Sequence, residues 1–301
     1  MDVFVTGATG YIGGSIAAHL LKHGHAVRGL VRDARKAEAL AALGIAPVLG
    51  DLDDAALLAR EAAEADAVVN AASSDHPASL DALIAALAGS GKALLHTSGS
   101  SVIADEACGL QASDKIYDEA TPFVVLPAKA ARHEIDRTVL AAASRGVRSA
   151  VLCNTMIYGT GRGLHAESAQ IPTLLREARR LGAVHVVGRG LNRWSNVHID
   201  DVATLYRLAL EQAPAGAFYF VENGEASWLE IGVALAERLG MGPVASWSIE
   251  QASQIFGATS ARYSYGSNSR VRALRARSEL GWAPRHDSAT QWIREEMALT
   301  A

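Results

Sequence analysis

Thr6-Gly-Ala-Thr-Gly-Tyr-Ile-Gly13 is the stretch of this 301-residue chain whose residue types and spacing point most directly to chemistry. An apolar run over 3–6 reads as a strand leading into it. Residues 11–23, with Ile12, Ile16, Leu20 and Leu21 on one side, read as a helix leading out. Three glycines between a strand and a helix make a cradle for a pyrophosphate. Gly7 permits the tight turn, Gly10 lets backbone approach the phosphates, and Gly13 lets the helix close on the strand. Thr9, Tyr11 and Ile12 share that turn. The chemistry indicated is capture of a nicotinamide dinucleotide.

The ends of the next strands select among such ligands. A carboxylate closing the second strand would grip a ribose 2′-hydroxyl. Here that position is Val31, followed by Arg32, with Arg35 and Lys36 close behind. A guanidinium in place of an acid suits a 2′-phosphate, because Arg pairs with phosphate bidentately. The expected cofactor is therefore NADP, with NAD the alternative; a plainer reading has Arg32 stacking on the adenine. Asp51-Leu52 ends the third strand, where a carboxylate can accept from the adenine amine and an apolar neighbour can pack the ring. The competing reading of Asp51 is an acid at a helix start. Asn70-Ala71-Ala72 ends the fourth strand, where small residues leave room for the ligand.

Alternating elements position these residues. Strands are expected over 3–6, 26–31, 46–49, 67–70, 93–97 and 148–153, with helices over 11–23, 34–43, 53–63, 79–88 and 128–144. Short, continuously apolar strands separated by amphipathic helices specify a parallel sheet covered on both faces. Right-handed crossovers make it a doubly wound α/β Rossmann sheet, with its ligand at the carboxyl ends of the strands. After about residue 158 the rhythm loosens. A helix over 171–181, a strand over 184–187, a helix over 200–212 and a strand over 217–220 precede helices over 228–239, 249–256, 269–280 and 288–297. The expected division is a dinucleotide-binding domain over 1–158, to which 196–222 returns. A smaller, mostly helical C-terminal substrate lobe takes 159–195 and 223–301.

The net charge of −4 and scattered Lys and Arg leave no basic field for nucleic acid. Arg270, Arg272, Arg275 and Arg277 read as a solvated face. Cys108 and Cys153 have no paired spacing, which argues against a disulfide scaffold or thiolate metal site and suits a reducing cytoplasm. The opening residues do not read as a signal-type leader, and no apolar run is long enough to span a bilayer. A cytoplasmic protein with a small-molecule substrate is expected, with neither nucleic acid nor membrane as partner.

TGATGYIGG over 6–14, GDLDD over 50–54, IYGTGRG over 157–163, SNVHIDDVA over 195–203 and ELGWAP over 279–284 occur in an order that resembles the extended short-chain dehydrogenase/reductase family. That group contains nucleotide-sugar epimerases and dehydratases, and the likeness covers nearly the whole chain. It implies hydride transfer at the nicotinamide C4, a substrate held between the lobes, and a homodimer built on helices near 79–88 and 128–144. Family members orient the carbonyl with a Ser or Thr after the fifth strand and move the proton with a Tyr-x-x-x-Lys on the following helix. Here the Ser/Thr position aligns with Gly99, flanked by Ser98 and Ser100, and the residue four before Lys129 is Val125. The chain is thus similar to the atypical members, which keep the fold and lose part of the catalytic set.

Several residues are candidates to fill the gap. Lys129 is expected to keep its place at the nicotinamide ribose, with Thr97 and Thr155 as further cofactor contacts. Ser98 or Ser100 would orient a carbonyl. Tyr158, after the sixth strand and beside the cleft, leads the candidates for proton donor, ahead of Tyr117 and His133; its competing reading is a packed aromatic. Arg162, Asn192 and Trp194 are expected on the far wall of the cleft, facing an oxygen-rich or carbonyl substrate. His198-Ile-Asp200-Asp201 and the pair His19 and His23 are poor starts for metal coordination, and no metal site is expected. The resulting expectation is an NADP-preferring oxidoreductase acting on a small carbonyl or alcohol. The alternatives are a catalytically idle dinucleotide-binding regulator and a nucleotide-sugar epimerase or dehydratase, the last weakened by the missing Ser and Tyr.

Overall fold

The apolar runs of the first half form strands with both faces covered. The structure, a computed structural model, describes residues 1–299. In chain order β1 (Asp2–Thr6), α1 (Tyr11–Lys22), β2 (Ala26–Val31), α2 (Ala34–Ala42), β3 (Ala46–Leu49), α3 (Ala55–Glu64), β4 (Ala67–Asn70), α4 (Pro77–Leu87) and β5 (Ala93–Gly99) alternate strictly. They are followed by α5 (Ala130–Ala141), β6 (Arg148–Asn154), β7 (Met156–Tyr158), α6 (Gln170–Leu181), β8 (His185–Val187), β9 (Arg193–His198), α7 (Ile199–Gln212) and β10 (Ala217–Val221). Seven strands pair in parallel in the order β10-β6-β5-β4-β1-β2-β3. β4 is buried throughout and β5 nearly so, which is why these segments read as continuous apolar runs. Strand order reverses beside β1, and a crevice opens there at the carboxyl ends of β1 and β4.

Helices begin where side chains can take the free N–H groups. Asp33 accepts from Arg35 and Lys36 at the start of α2, and Asp54 from Leu57 at the start of α3. Ser227 and Glu230 form a capping box ahead of α8 (Trp228–Leu239).

The doubly wound α/β sheet is as expected, and β10 returns to it. The C-terminal half differs from expectation in two respects. First, β7, β9 and β11 (Glu225–Ser227) form a three-stranded sheet, and β8 pairs with β12 (Ala245–Trp247). These strands, with α6, α8 and α9 (Ile249–Phe256), enclose a core of their own around Tyr158, Trp228, Ile231 and Trp247. The lobe is therefore mixed rather than mostly helical; three-residue strands are too short for periodicity to reveal. Second, Val271, Ala273, Ala276, Leu280 and Trp282 pack on the larger core under the main sheet. The helix expected over 269–280 begins only at Leu274, because Ser269 and Val271 are taken up in bridges to Trp194 and Tyr117. Asp201 anchors this crossing, accepting from the N–H groups of Arg285 and His286 at 2.9 and 3.0 Å. No helix among the described residues is long and apolar enough to cross a membrane.

Candidate active site

The glycine turn closes tightly at the carboxyl end of β1. Gly7 adopts φ +76°, and a Cβ there would sit 2.6 Å from the carbonyl oxygen of Ala71. A Cβ on Gly13 would lie 2.4 Å from the carbonyl oxygen of Gly7. Any other residue would push strand and helix apart. Gly10 is the N-cap of α1 and offers no capping side chain, so the first N–H groups of the helix stay open to an anion.

Two cavities flank this turn. One, of about 460 Å³, is bordered by Gly7, Thr9, Gly10, Arg32, Asp51, Leu52, Ala71 and Ala72. Asp51 accepts from the N–H of Asp53 at 2.9 Å. It turns the chain at the cavity edge, and the helix start belongs to Asp54. The other cavity, of about 430 Å³, shares Gly10 and Ala71 and adds Tyr11, Ile12, Gly13, Ser98, Ser100, Thr155 and Trp194. Arg132 borders it too, and the segment ahead of α6 closes it with His165, Glu167 and Ser168. Tyr11 ties that segment down by donating to the carbonyl of Gly159 at 2.9 Å.

Side chains alternate along β5, and this parity decides which of them reach the second cavity. His96 and Ser98 face α5. Thr97 faces the other layer, where Tyr206 of α7 donates to its Oγ1 at 2.9 Å. Ser98 donates to Asp136 Oδ2 at 2.8 Å. Arg132 and Asp136 lie four residues apart on α5 and so share one helical face. Arg132 pairs with both carboxylate oxygens of Asp75 and donates to Ser101 Oγ at 3.2 Å. Its Nη1 stands 3.5 Å from the point a Cβ on Gly99 would occupy. Where the resemblance expects a hydroxyl, the backbone is bare and a guanidinium lies beside it. Burial pushes the Asp136 carboxyl up to about 7, against the pull of the Ser98 hydrogen bond, and pushes His96 down to about 4.

The other expected residues lie outside both cavities. Tyr158 is fully buried in the second core, its ring edge-on to His198 at 5.3 Å and packed on Trp292. It is the packed aromatic, and it does not face the cleft as a proton donor must. The cause is a break at Thr155: β6 ends at Asn154, and β7 pairs with β9 in the small sheet. Lys129 is buried at the start of α5 with its Nζ 5.3 Å from the centre of the Tyr263 ring. Burial, with Arg132 adding to it, holds its pKa below the usual lysine value. Asn70 is locked between Thr6 and His96, and Asn192 donates to the carbonyls of Tyr265 and Ser267. Arg162 pairs bidentately with Asp200 at 2.9 and 2.7 Å, and Lys36 stands exposed on the first turn of α2. Tyr117 and His133 both pack against Phe123, away from the cleft.

Sequence reasoning missed Arg132, Asp136 and His96. The available signal was polar residues four apart on a helix covering the sheet, facing polar residues two apart on the strand beneath. His198, Asp200 and His286 also gather, their ligating atoms within 4.8 Å of one another. The two rings stack at 3.9 Å and Asp200 is already held by Arg162, so the group satisfies itself.

Residues 3–221 match the model of the NAD dependent epimerase/dehydratase family. An oxidase of Acremonium is 34% identical, with 94% of this chain and 92% of that protein covered. A ketoreductase of Stigmatella aurantiaca, named for 4-hydroxy-2-methyl-3-oxo-4-farnesyl-3,4-dihydroquinoline-1-oxide, is 30% identical over 74% of this chain and 69% of its own. Among solved structures, dTDP-glucose 4,6-dehydratase of Bacillus anthracis in complex with NAD superimposes with a TM-score of 0.77 at 18% identity, covering 98% of this chain and 94% of that one.

Proposed function

The chain belongs to the NAD dependent epimerase/dehydratase family and is an NAD(P)-dependent oxidoreductase, and on that premise we propose that it is an NADP-preferring reductase of a small carbonyl compound. The observation that carries the reading is the pair of cavities meeting at Gly10 and Ala71, one on each side of the glycine turn. The residues present fit a dinucleotide. Gly7, Gly10 and Gly13 with the start of α1 would hold the pyrophosphate. Asp51 and Leu52 would border the adenine, and Arg32 would pair with a 2′-phosphate. Ile12, Thr155 and Trp194 would enclose the nicotinamide side.

When bound, the nicotinamide supplies or accepts hydride at its C4. The rest of the chemistry belongs to the chain. Ser98, Ser100 and Arg132 line the wall where a carbonyl oxygen would be received, and the Arg132 cation favours the negative charge that develops there. Asp75 keeps that guanidinium oriented. Tyr11 and the segment 159–169 cover the cavity and limit water. A space of about 430 Å³ shared by nicotinamide and substrate suits a compact substrate. A cytoplasmic location and a dimer through helices near 79–88 and 128–144 go with this reading.

The test is direct. NADPH and NADH binding would be titrated by fluorescence, and NADPH consumption followed over a panel of aldehydes and ketones. The expected result is tighter binding of NADPH and turnover of at least one carbonyl. Tight NADPH binding without turnover across the panel would leave a dinucleotide-binding regulator in its place.

A further inference from the structure

We propose that Ser98 hands its proton to the substrate oxygen and is resupplied by Asp136, a relay that takes the place of the family's missing tyrosine; the inference rests on the reductase reading above. Ser98, next to the last residue of β5, borders the cavity, while Asp136 is buried behind it on α5. Among the described residues their 2.8 Å bond is the only hydrogen bond of the Asp136 side chain, and Oδ1 has no hydrogen-bond partner. An ionised carboxylate half-satisfied in the interior is costly, so this site favours the protonated acid.

The groups around Asp136 act in both directions, and burial outweighs them. Arg132, on the same helix, favours the carboxylate by its charge, but its hydrogen bonds go to Asp75 and Ser101, and the Asp75 carboxylate acts the other way. From β6, Cys153 is fully buried and its thiol is pushed far up by desolvation, so it brings no charge. From β5, His96 Nε2 stands 3.8 Å from Asp136 Oδ1. The tautomer of that histidine follows from its other side. Thr6 Oγ1 donates to Asn70 Oδ1 at 2.6 Å, which leaves the Asn70 amide nitrogen facing His96 Nδ1 at 3.2 Å. Asn70 therefore donates, Nδ1 accepts, and the single proton of the neutral imidazole sits on Nε2, directed at Asp136. Burial keeps His96 neutral at pH 7. A line of polar side chains, Thr6–Asn70–His96–Asp136–Ser98, thus leads to the cavity, hydrogen-bonded except at the 3.8 Å step between His96 and Asp136. Core packing alone gives no account of five such side chains in line.

The step balances simply. As the carbonyl carbon gains hydride, the oxygen forms its O–H bond with the Ser98 proton. Ser98 Oγ takes the Asp136 proton, and Asp136 is left as carboxylate, accepting from Ser98 and facing the His96 N–H. After the alcohol leaves, one proton from bulk solvent, passed along water in the cavity, returns to Asp136 through Ser98. Oxidation of an alcohol runs the same chain backwards. Asp136 ionises near 7, so reduction should be level in acid and fall as pH rises through about 7, while oxidation rises.

Two measurements test the relay. The first needs neither cofactor nor turnover. Infrared difference spectra of the unliganded protein across pH should show a buried protonated carboxyl that ionises near neutrality and is absent from Asp136→Asn. A spectrum without that band overturns the proposal. The second is kinetic. Ser98→Ala and Asp136→Asn should each lower kcat by about 10²–10⁴, with NADPH affinity kept, and the double variant should be no slower than either single one. Asp136→Asn should also lose the fall in reduction above neutrality, and Ser98→Thr should recover most of the rate. Calorimetric melts confirm that each variant folds. Wild-type turnover with unchanged variants, or additive losses, overturns the relay alone. No wild-type turnover on any carbonyl overturns the reductase reading and the relay with it.

Discussion

The two ends of the cleft are built on different principles. On the proposed adenine side, the turn at Gly7–Gly13 and the strand ends at Arg32, Asp51 and Ala71 present mainly backbone and short side chains, each placed by the one strand it follows. On the proposed nicotinamide side, Ser98 bonds Asp136, Arg132 bonds Asp75 and Thr6 bonds Asn70, contacts that draw together β1, β4, β5 and α5 from two layers. The first end is local and fixed by what glycine permits. The second is non-local and can be rebuilt one side chain at a time while the fold is retained. A chain can therefore keep its dinucleotide cradle unchanged while the group that moves the proton is replaced.

The contrast can be broken from either side. The largest effect is expected at Gly7→Val. A branched residue at φ +76°, with backbone 2.6 Å from its Cβ, combines left-handed strain with overpacking, together on the order of 4 kcal/mol. Urea unfolding should shift by that amount, and NADPH binding should be lost. Arg132→Ala should act only on the other end, lowering kcat by about 10²–10³, as removal of one preorganised donor does, with NADPH affinity kept. A matching loss of NADPH affinity would place Arg132 on the cofactor instead of the carbonyl.

These two regions also mark how far the sequence could be read. The sheet, its helices and the glycine turn were legible because apolar runs and glycine spacing encode them within a few residues. Arg32, Asp51, Leu52, Ala71 and Ala72 followed from counting strand ends. The nicotinamide side was not legible to the same degree. Ser98 and Ser100 were found from the resemblance, but Thr97 was placed in the cleft although strand parity turns it toward Tyr206. Tyr158 was misplaced because the chain leaves the main sheet at Thr155, a break that no composition shift announces. Arg132, Asp136 and His96 were missed because their partnership exists only once α5 lies on β5.

A smaller effect sharpens the comparison at the adenine end. Arg32→Ala should remove one charge-assisted contact, about 1.5–3 kcal/mol, so that NADPH binds about tenfold or more weakly and NADH almost unchanged. Equal losses for both cofactors would mean that Arg32 stacks on the adenine. The smallest effect is expected at Tyr158→Phe. Its hydroxyl is buried away from both cavities, so kcat and NADPH affinity should match the wild type. A drop in kcat of about 10² or more would return Tyr158 to the role of proton donor.

The central claim is that one dinucleotide spans both cavities, with its reacting carbon beside Ser98 and Arg132. A crystal structure of the protein with NADP⁺ and a non-reacting carbonyl analogue tests it most directly. The expected result is the 2′-phosphate on Arg32, the pyrophosphate on the N–H groups at Gly10, and the analogue's carbonyl carbon about 3–3.5 Å from the nicotinamide C4 with its oxygen on Ser98. A nicotinamide outside the cavity bordered by Ser98, or one whose C4 faces away from Ser98 and Arg132, would contradict it.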